Sequence, residues 1–236
     1  MASIHALNHR SSTLPAPPPA PANGRASLLP GFQGLAGAGL IVHAERDAEI
    51  VAQGDRAEHC YIVISGWLRT VTLMEDGRRQ VGLFLTAGDL FGWDVIGEYD
   101  MSAEAVTDVV LRRVPMRCID NLAERDPDFA RRLRRMGAEQ LRAARERMVL
   151  LGRMTALERI AHFLLETASR ARAAGGDPVD LPMSRADIAD HLGLTVETVC
   201  RGLSQLRRMG AIALDRHGFR ILDRSALRAV RDNEVH

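Results

Sequence analysis

MSRADIADHLGLTVETVCRGLSQLRRMGAI, Met183 to Ile212, is the stretch whose reading decides the fold. It divides into two short helices pinched together at a glycine. Ser184 is placed to cap the first helix, with Asp187 at the third helical position. Ile188, Ala189 and Leu192 form its inner face, and Ala189 is small enough for a second helix to cross close by. Gly193 supplies the backbone freedom that a tight turn needs. Leu194 plugs the corner, Thr195 caps the second helix, and Val199 and Leu203 continue the core. A small residue, a glycine four later and flanking apolar positions make the pattern of a DNA-binding helix-turn-helix; a structural helical hairpin is the rival.

The second helix keeps an outward face for recognition. Glu197 and Arg201 are four apart and therefore neighbours, with Cys200 beside them. They fall in the first two turns, where a recognition helix meets base edges. Arginine can bond guanine O6 and N7 through two donors and glutamate can accept from cytosine N4, so the two can read one G·C pair across both strands. The bland alternative is a surface ion pair, worth about 0.3–0.5 kcal/mol. That would explain the spacing but not its place directly after the turn. Val196 or Thr198 can touch a thymine methyl. Ser204, Arg207 and Arg208 are candidates for phosphate contacts, and Ser184 joins the DNA-facing set at the start of the first helix.

Outward from this motif, GAIALDRHGFRILD (Gly210–Asp223) reads as two strands around a turn, the wing of a winged helix, with Arg216 and His217 at its tip. Upstream, TALERIAHFLLETASRARA (Thr155–Ala173) begins with a T-x-x-E capping box and buries Ile160, Phe163 and Leu164, with Thr167 on the same face. A Gly-Gly-Asp-Pro loop follows at 175–178. From about Asn121 to Leu151 the pattern is one long helix, interrupted at Gly152. Gly137, Leu141, Ala144, Met148 and Leu151 repeat at spacings of four and three, a coiled-coil seam. Flanked by charged residues, so narrow a seam suits a dimer interface; packing on the chain's own β-structure is the rival. Between Gly31 and Pro115 come short β-rich runs punctuated by Gly and Asp, as in a small antiparallel roll. Asp76-Gly77 marks a hairpin, and in RQVGLFL the alternation puts Val81, Leu83 and Leu85 on one buried face.

The chain has 236 residues and a formal net charge of +1, so a nucleic-acid surface must be local. The three cysteines, Cys60, Cys118 and Cys200, form no C-x-x-C pair and lack zinc or iron–sulfur spacing. They suit a reducing cytoplasm. No apolar run is long enough to cross a bilayer, so no membrane partner is expected. Residues 1–28, with LPAPPPAPANG, read as a disordered arm. The expected organisation is α+β: the arm, a β-roll at 29–118, a dimerisation helix at 119–152, and a winged helix-turn-helix at 153–236.

In order along the chain, GDLFG, the long helix, MSRADIADHLGLTVETVCR and the closing wing resemble the Crp/Fnr superfamily of bacterial transcription regulators. LTVETVCR looks most like its FNR and FixK branch. The resemblance implies a cyclic-nucleotide-binding-like roll and a homodimer on a two-fold duplex site of the TTGAT…ATCAA kind. It implies Glu197, Cys200 and Arg201 as contacts, and activation through RNA polymerase. Two sensors of the superfamily are not matched. Cyclic-nucleotide binders place Glu after their FG and an Arg-Ser or Arg-Thr pair at the phosphate; here Trp93 follows Phe91-Gly92, and Met101-Ser102 stands where the pair belongs. A buried phosphate without its cation is strongly disfavoured. The N-terminal cysteines that hold FNR's iron–sulfur cluster are missing as well. No cofactor is therefore expected, and FixK-type regulators are the better match. Control by oxidation of Cys200 is one hypothesis, since a thiol beside an arginine near a helix N-terminus is prone to it. A haem or nitric-oxide sensor using His43, His59, His162 or Met101 is the alternative. A cupin-like metal enzyme is remote, because no His-x-His with a following Glu is present.

Overall fold

The computed structural model describes residues 33–35, 37–173, 179–215 and 218–233. The proposed N-terminal arm, the Gly-Gly-Asp-Pro loop and the wing-tip residues Arg216 and His217 lie outside the described residues. The chain divides into two units, Met1–Gln140 and Leu141–His236.

The first unit is built on β1 (Leu40–Ala44), β2 (Glu49–Val51), β3 (His59–Ser65), β4 (Trp67–Leu73), β5 (Arg79–Thr86), β6 (Leu90–Phe91), β7 (Ser102–Ala105) and β8 (Val109–Pro115). They form two four-stranded antiparallel sheets, ordered β1-β8-β3-β6 and β2-β7-β4-β5. Side chains from both sheets make one core, including Tyr61, Val63, Val109 and Leu111 from the first and Leu68, Leu85, Ala103 and Ala105 from the second. The opposite side of β3 is buried too. Cys60 and Ile62 meet Leu35, Val114, Ile119 and Phe129 in a second cluster, which is why HCYIVIS reads as a nearly continuous apolar run.

The hairpin at Asp76-Gly77 forms as expected, with Gly77 at φ +83° and its amide donating to the Met74 carbonyl at 2.9 Å. The shared face of Val81, Leu83 and Leu85 does not form. Arg69 pairs with Phe84 and Val71 with Val81, so Gly82 and Leu83 together oppose Thr70. This β-bulge adds one residue to β5 and inverts its alternation. Val81 then lies opposite Val71 and Leu85 opposite Leu68, on different faces, while Leu83 is 43% exposed and Phe84 is buried. The Leu83 amide donates to Thr70 Oγ1 at 2.8 Å, and a Cβ on residue 82 would come within 2.7 Å of that same oxygen. A side chain at 82 would press on the hydroxyl that holds the bulge.

The single long helix is two. α1 spans Met116–Arg125 and α2 spans Pro127–Arg153. Pro127 pushes Asp126 into extended backbone (φ −121°, ψ 98°), which stops α1. The Asp126 carboxylate then accepts from the amides of Asp128 and Phe129 at 2.8 and 3.1 Å and caps α2. At the other end Gly152 does not interrupt. α2 runs through it to Arg153, and the break falls at Met154–Thr155.

The second unit holds the end of α2, then α3 (Ala156–Ala173), β9 (Val179–Asp180), α4 (Arg185–Leu192), α5 (Val196–Arg208), β10 (Ile212–Leu214), β11 (Gly218–Ile221) and α6 (Arg224–Arg231). α3 opens on the expected capping box: Glu158 Oε2 accepts from the Thr155 amide at 2.9 Å and Thr155 Oγ1 from the Glu158 amide at 3.4 Å. Ile160, Phe163, Leu164 and Thr167 are buried. The wing strands β10 and β11 pair antiparallel, and β9 joins them as a third strand. Two elements were not foreseen. β9 is only two residues long, and α6 follows the wing, capped by Asp223 at the Ala226 amide and packed against α3 through buried Leu227 and Val230.

Candidate nucleic-acid interface

α4 and α5 form the helix-turn-helix. The Ser184 hydroxyl accepts from the Asp187 amide at 3.0 Å and donates to the Asp187 carboxylate at 2.7 Å; that carboxylate also accepts from the Ser184 amide at 3.0 Å. Ser184 is exposed, but its oxygen is engaged in holding the helix start. Gly193 ends α4 in left-handed backbone (φ +62°), as a tight turn requires. Ile188, Ala189 and Leu192 are buried, and Leu194 is half-buried at the corner. Thr195 caps α5 by accepting from the Thr198 amide at 3.2 Å, and the two hydroxyls lie 2.8 Å apart.

α5 has two distinct faces. Val199, Gly202, Leu203 and Leu206 are buried against the unit. Val196, Glu197, Cys200 and Arg201 are exposed on the first two turns, Thr198 and Ser204 are half-exposed, and Arg207 and Arg208 are exposed in the last turn. Glu197 Oε1 and Arg201 Nη1 stand 3.4 Å apart, with side chains 75% and 70% exposed. In water such a contact is weak, so each group can turn toward a base edge at little cost. The positive ends of this face, Arg201, Arg207 and Arg208, supply the local charge that the balanced whole chain lacks.

Gly202 is a site residue that periodicity alone missed. A Cβ there would meet Ile160 Cδ1 at 2.4 Å, so the backbone of α5 lies directly on α3. The available signal was a glycine in mid-helix, which costs about 1 kcal/mol against alanine and so implies a packing reason.

The seam of α2 is open. Leu141 is 53% and Met148 74% exposed, Ala144 is exposed and Leu151 half-buried. Inside the roll, aromatic side chains make specific contacts. Tyr61 and Phe91 stack with centroids 4.9 Å apart at 9°, and the Tyr99 hydroxyl donates to the His59 carbonyl at 2.5 Å. Trp93 packs in the second cluster, and Ser102 Oγ accepts from the Gln53 amide at 3.0 Å. Neither Met101 nor Ser102 carries a cation that could pair with a phosphate. His43, His59 and Met101 belong to the first unit and His162 to α3 in the second. Among the described residues no three His, Cys, Asp or Glu side chains are placed to hold a metal ion. Nor is any described helix long and apolar enough to cross a membrane.

Fold and site together define a winged helix-turn-helix regulator carrying a cyclic-nucleotide-binding type of β-roll. The Crp-like helix-turn-helix domain family matches residues 158–230 and the cyclic nucleotide-binding domain family residues 41–126. The nitrogen fixation regulation protein FixK of Azorhizobium caulinodans is 44% identical, over 78% of this chain and 75% of that protein. FixK of Rhizobium meliloti is 38% identical, over 83% of this chain and 89% of its own. The solved structure of FixK2 from Bradyrhizobium japonicum superposes with a TM-score of 0.77 at 39% identity, covering 81% of this chain and 96% of that one. The chain belongs to the Crp/Fnr family of DNA-binding transcription regulators, in its FixK-like branch, and not to an enzyme family.

Proposed function

We propose that the chain is a FixK-type activator that binds a two-fold TTGAT…ATCAA site as a homodimer, with neither a nucleotide nor an iron–sulfur cluster. Glu197 and Arg201 read one G·C pair in each half-site, Val196 and Thr198 contact thymine methyls, and Ser204, Arg207 and Arg208 hold phosphates. Leu141, Ala144, Met148 and Leu151 form the dimer seam. RNA polymerase is the partner through which activation proceeds. The observation that carries the reading is the exposure of Glu197, Cys200 and Arg201 together on the first two turns of α5, immediately after the Thr195 cap. The exposed apolar residues Leu141 and Met148 support the dimer seam, and the lack of a cation at Met101-Ser102 supports binding without a cyclic nucleotide.

The test is fluorescence anisotropy with a TTGAT…ATCAA duplex and reduced protein, at one fixed salt concentration because phosphate contacts make affinity salt-dependent. Tight binding that is lost when the G·C pairs are inverted is expected. Equal binding to both duplexes refutes the reading.

Exposed Cys200 on the DNA face adds redox control to the proposal. Peroxide transfers one oxygen to Sγ, giving a sulfenic acid and water, and the modified side chain crowds the phosphate backbone. Wild-type protein should lose DNA binding to peroxide while Cys200→Ser keeps it; equal loss in both discards the idea.

A further inference from the structure

Two arginines outside the DNA face converge on the turn of the helix-turn-helix. Arg159, on α3, donates through Nε to the Met154 carbonyl at 3.0 Å, through Nη2 to the Leu151 carbonyl at 2.9 Å and through Nη1 to the Leu192 carbonyl at 2.9 Å. One guanidinium thereby gathers carbonyls at and just beyond the C-terminal ends of α2 and α4, where a cation is favoured. Arg147, on α2, donates through Nη2 to the His191 carbonyl at 2.5 Å. Its Nη2 and Nη1 also stand 2.8 and 3.2 Å from His191 Nδ1 and Nε2. Arginine offers only hydrogens, so whichever ring nitrogen lacks a proton is the acceptor. Burial works against the Arg147 charge and the Glu166 carboxylate works for it. Gly193, the turn itself, has Arg159 Nη1 and Leu151 Cδ2 as the nearest neighbours of a would-be Cβ, both at 3.6 Å.

On α2 this contact and the open seam are neighbouring stripes that meet at Leu151. At 100° per residue, Leu150 lies about a third to half a turn from Leu141, Ala144 and Met148, whereas Leu151, the last seam residue, lies beside Arg147 and faces the turn at Gly193. Leu150 is 7% exposed where Met148 is 74% exposed. The same three turns of helix thus carry the proposed seam and the contact with the reading head, and Leu151 borders both.

We infer that Arg147 and Arg159 are positioning residues that clamp the helix-turn-helix to the seam-bearing end of α2, so that two reading helices in a dimer stand at a set separation without a ligand. This rests on the dimer and two-fold site proposed above. The contacts grip backbone carbonyls at the turn, not the reading side chains, so each α5 keeps its base contacts while its distance from the dimer axis is held. Hydrogen bonds from a charged donor are the stronger kind, and four reach backbone carbonyls at the ends of α2 and α4.

The test uses the full chain with Arg147→Met, Arg159→Met and, as milder variants that keep charge but lose the fork, Arg147→Lys and Arg159→Lys. Binding is measured to an isolated half-site and to palindromes with the native spacer or one base pair more or less, with dimer mass from sedimentation. Wild-type protein should prefer the native spacer by tenfold or more. In the variants that preference should collapse to about twofold, with half-site affinity and dimer mass unchanged, a loss of about 1 kcal/mol by the tenfold-per-1.4 kcal/mol relation. Retained spacer preference in the variants, or half-site binding that falls in step with it, overturns the clamp. Wild-type protein that discriminates no palindrome instead overturns the proposed function, and the clamp with it.

Discussion

Glu197 and Arg201 touch across 3.4 Å with most of each side chain in water, so their pairing adds little to stability and their value lies in what they can reach. Replacing Glu197 by Ala should narrow the gap between the matched duplex and one with the G·C pair inverted by about 1–3 kcal/mol, while nonspecific affinity changes little. Competition anisotropy with both duplexes measures this; equal losses on both would make the pair merely structural. The cysteines differ sharply in environment. Burial pushes the Cys60 thiol up to about 12, so at pH 8 it stays protonated and shielded, whereas Cys200 is exposed. Brief alkylation of folded protein at pH 8, mapped by mass spectrometry, should label Cys200 and leave Cys60 unmodified until the chain is denatured. Early label on Cys60 would mean that the cluster of Ile62, Val114 and Phe129 opens readily.

At the scale of elements, the packing of α5 on α3 hangs on Gly202. Gly202→Ala improves helix propensity by up to about 1 kcal/mol, but its methyl would sit 2.4 Å from the buried Ile160 Cδ1. Overpacking of this kind costs about 1–3 kcal/mol, so the variant should melt lower than wild type, and Ile160→Val in the same chain should restore part of the loss. Thermal unfolding followed by circular dichroism decides it: a Tm at or above wild type would show that α3 yields. Three helix starts were legible because their capping partners are close in sequence, although the equally local Asp223–Ala226 cap of α6 was missed. Ser184 with Asp187, Thr155 with Glu158 and Thr195 with Thr198 each close within three residues. The end of α2 was not, because glycine lowers helix propensity without forbidding a helix, and Gly152 stays helical. Pro127 did what its ring demands, splitting one apparent helix in two.

At the scale of the whole molecule, each unit has its own core, and the stripe of α2 that carries Leu141 and Met148 is left exposed by its own unit. Met148→Glu should shift sedimentation from dimer to monomer and weaken binding to the palindrome far more than to a half-site, because an unpaired charge would be buried in the seam. A dimer that persists would move the interface elsewhere. Fold class, the helix-turn-helix and the two wing strands were determined by the sequence alone, because each rests on periodicity, capping or turn residues within a few positions. The bulge at Gly82–Leu83 depends on Thr70 across the sheet, the close approach at Gly202 on Ile160 in another helix, the third wing strand on Val179 meeting Phe219, and the grip of Arg159 on the Leu192 carbonyl, 33 residues away in sequence. These were decided only by tertiary structure, since a backbone carbonyl or a close approach has no signature in residue type until the chain has folded and brought the partners together.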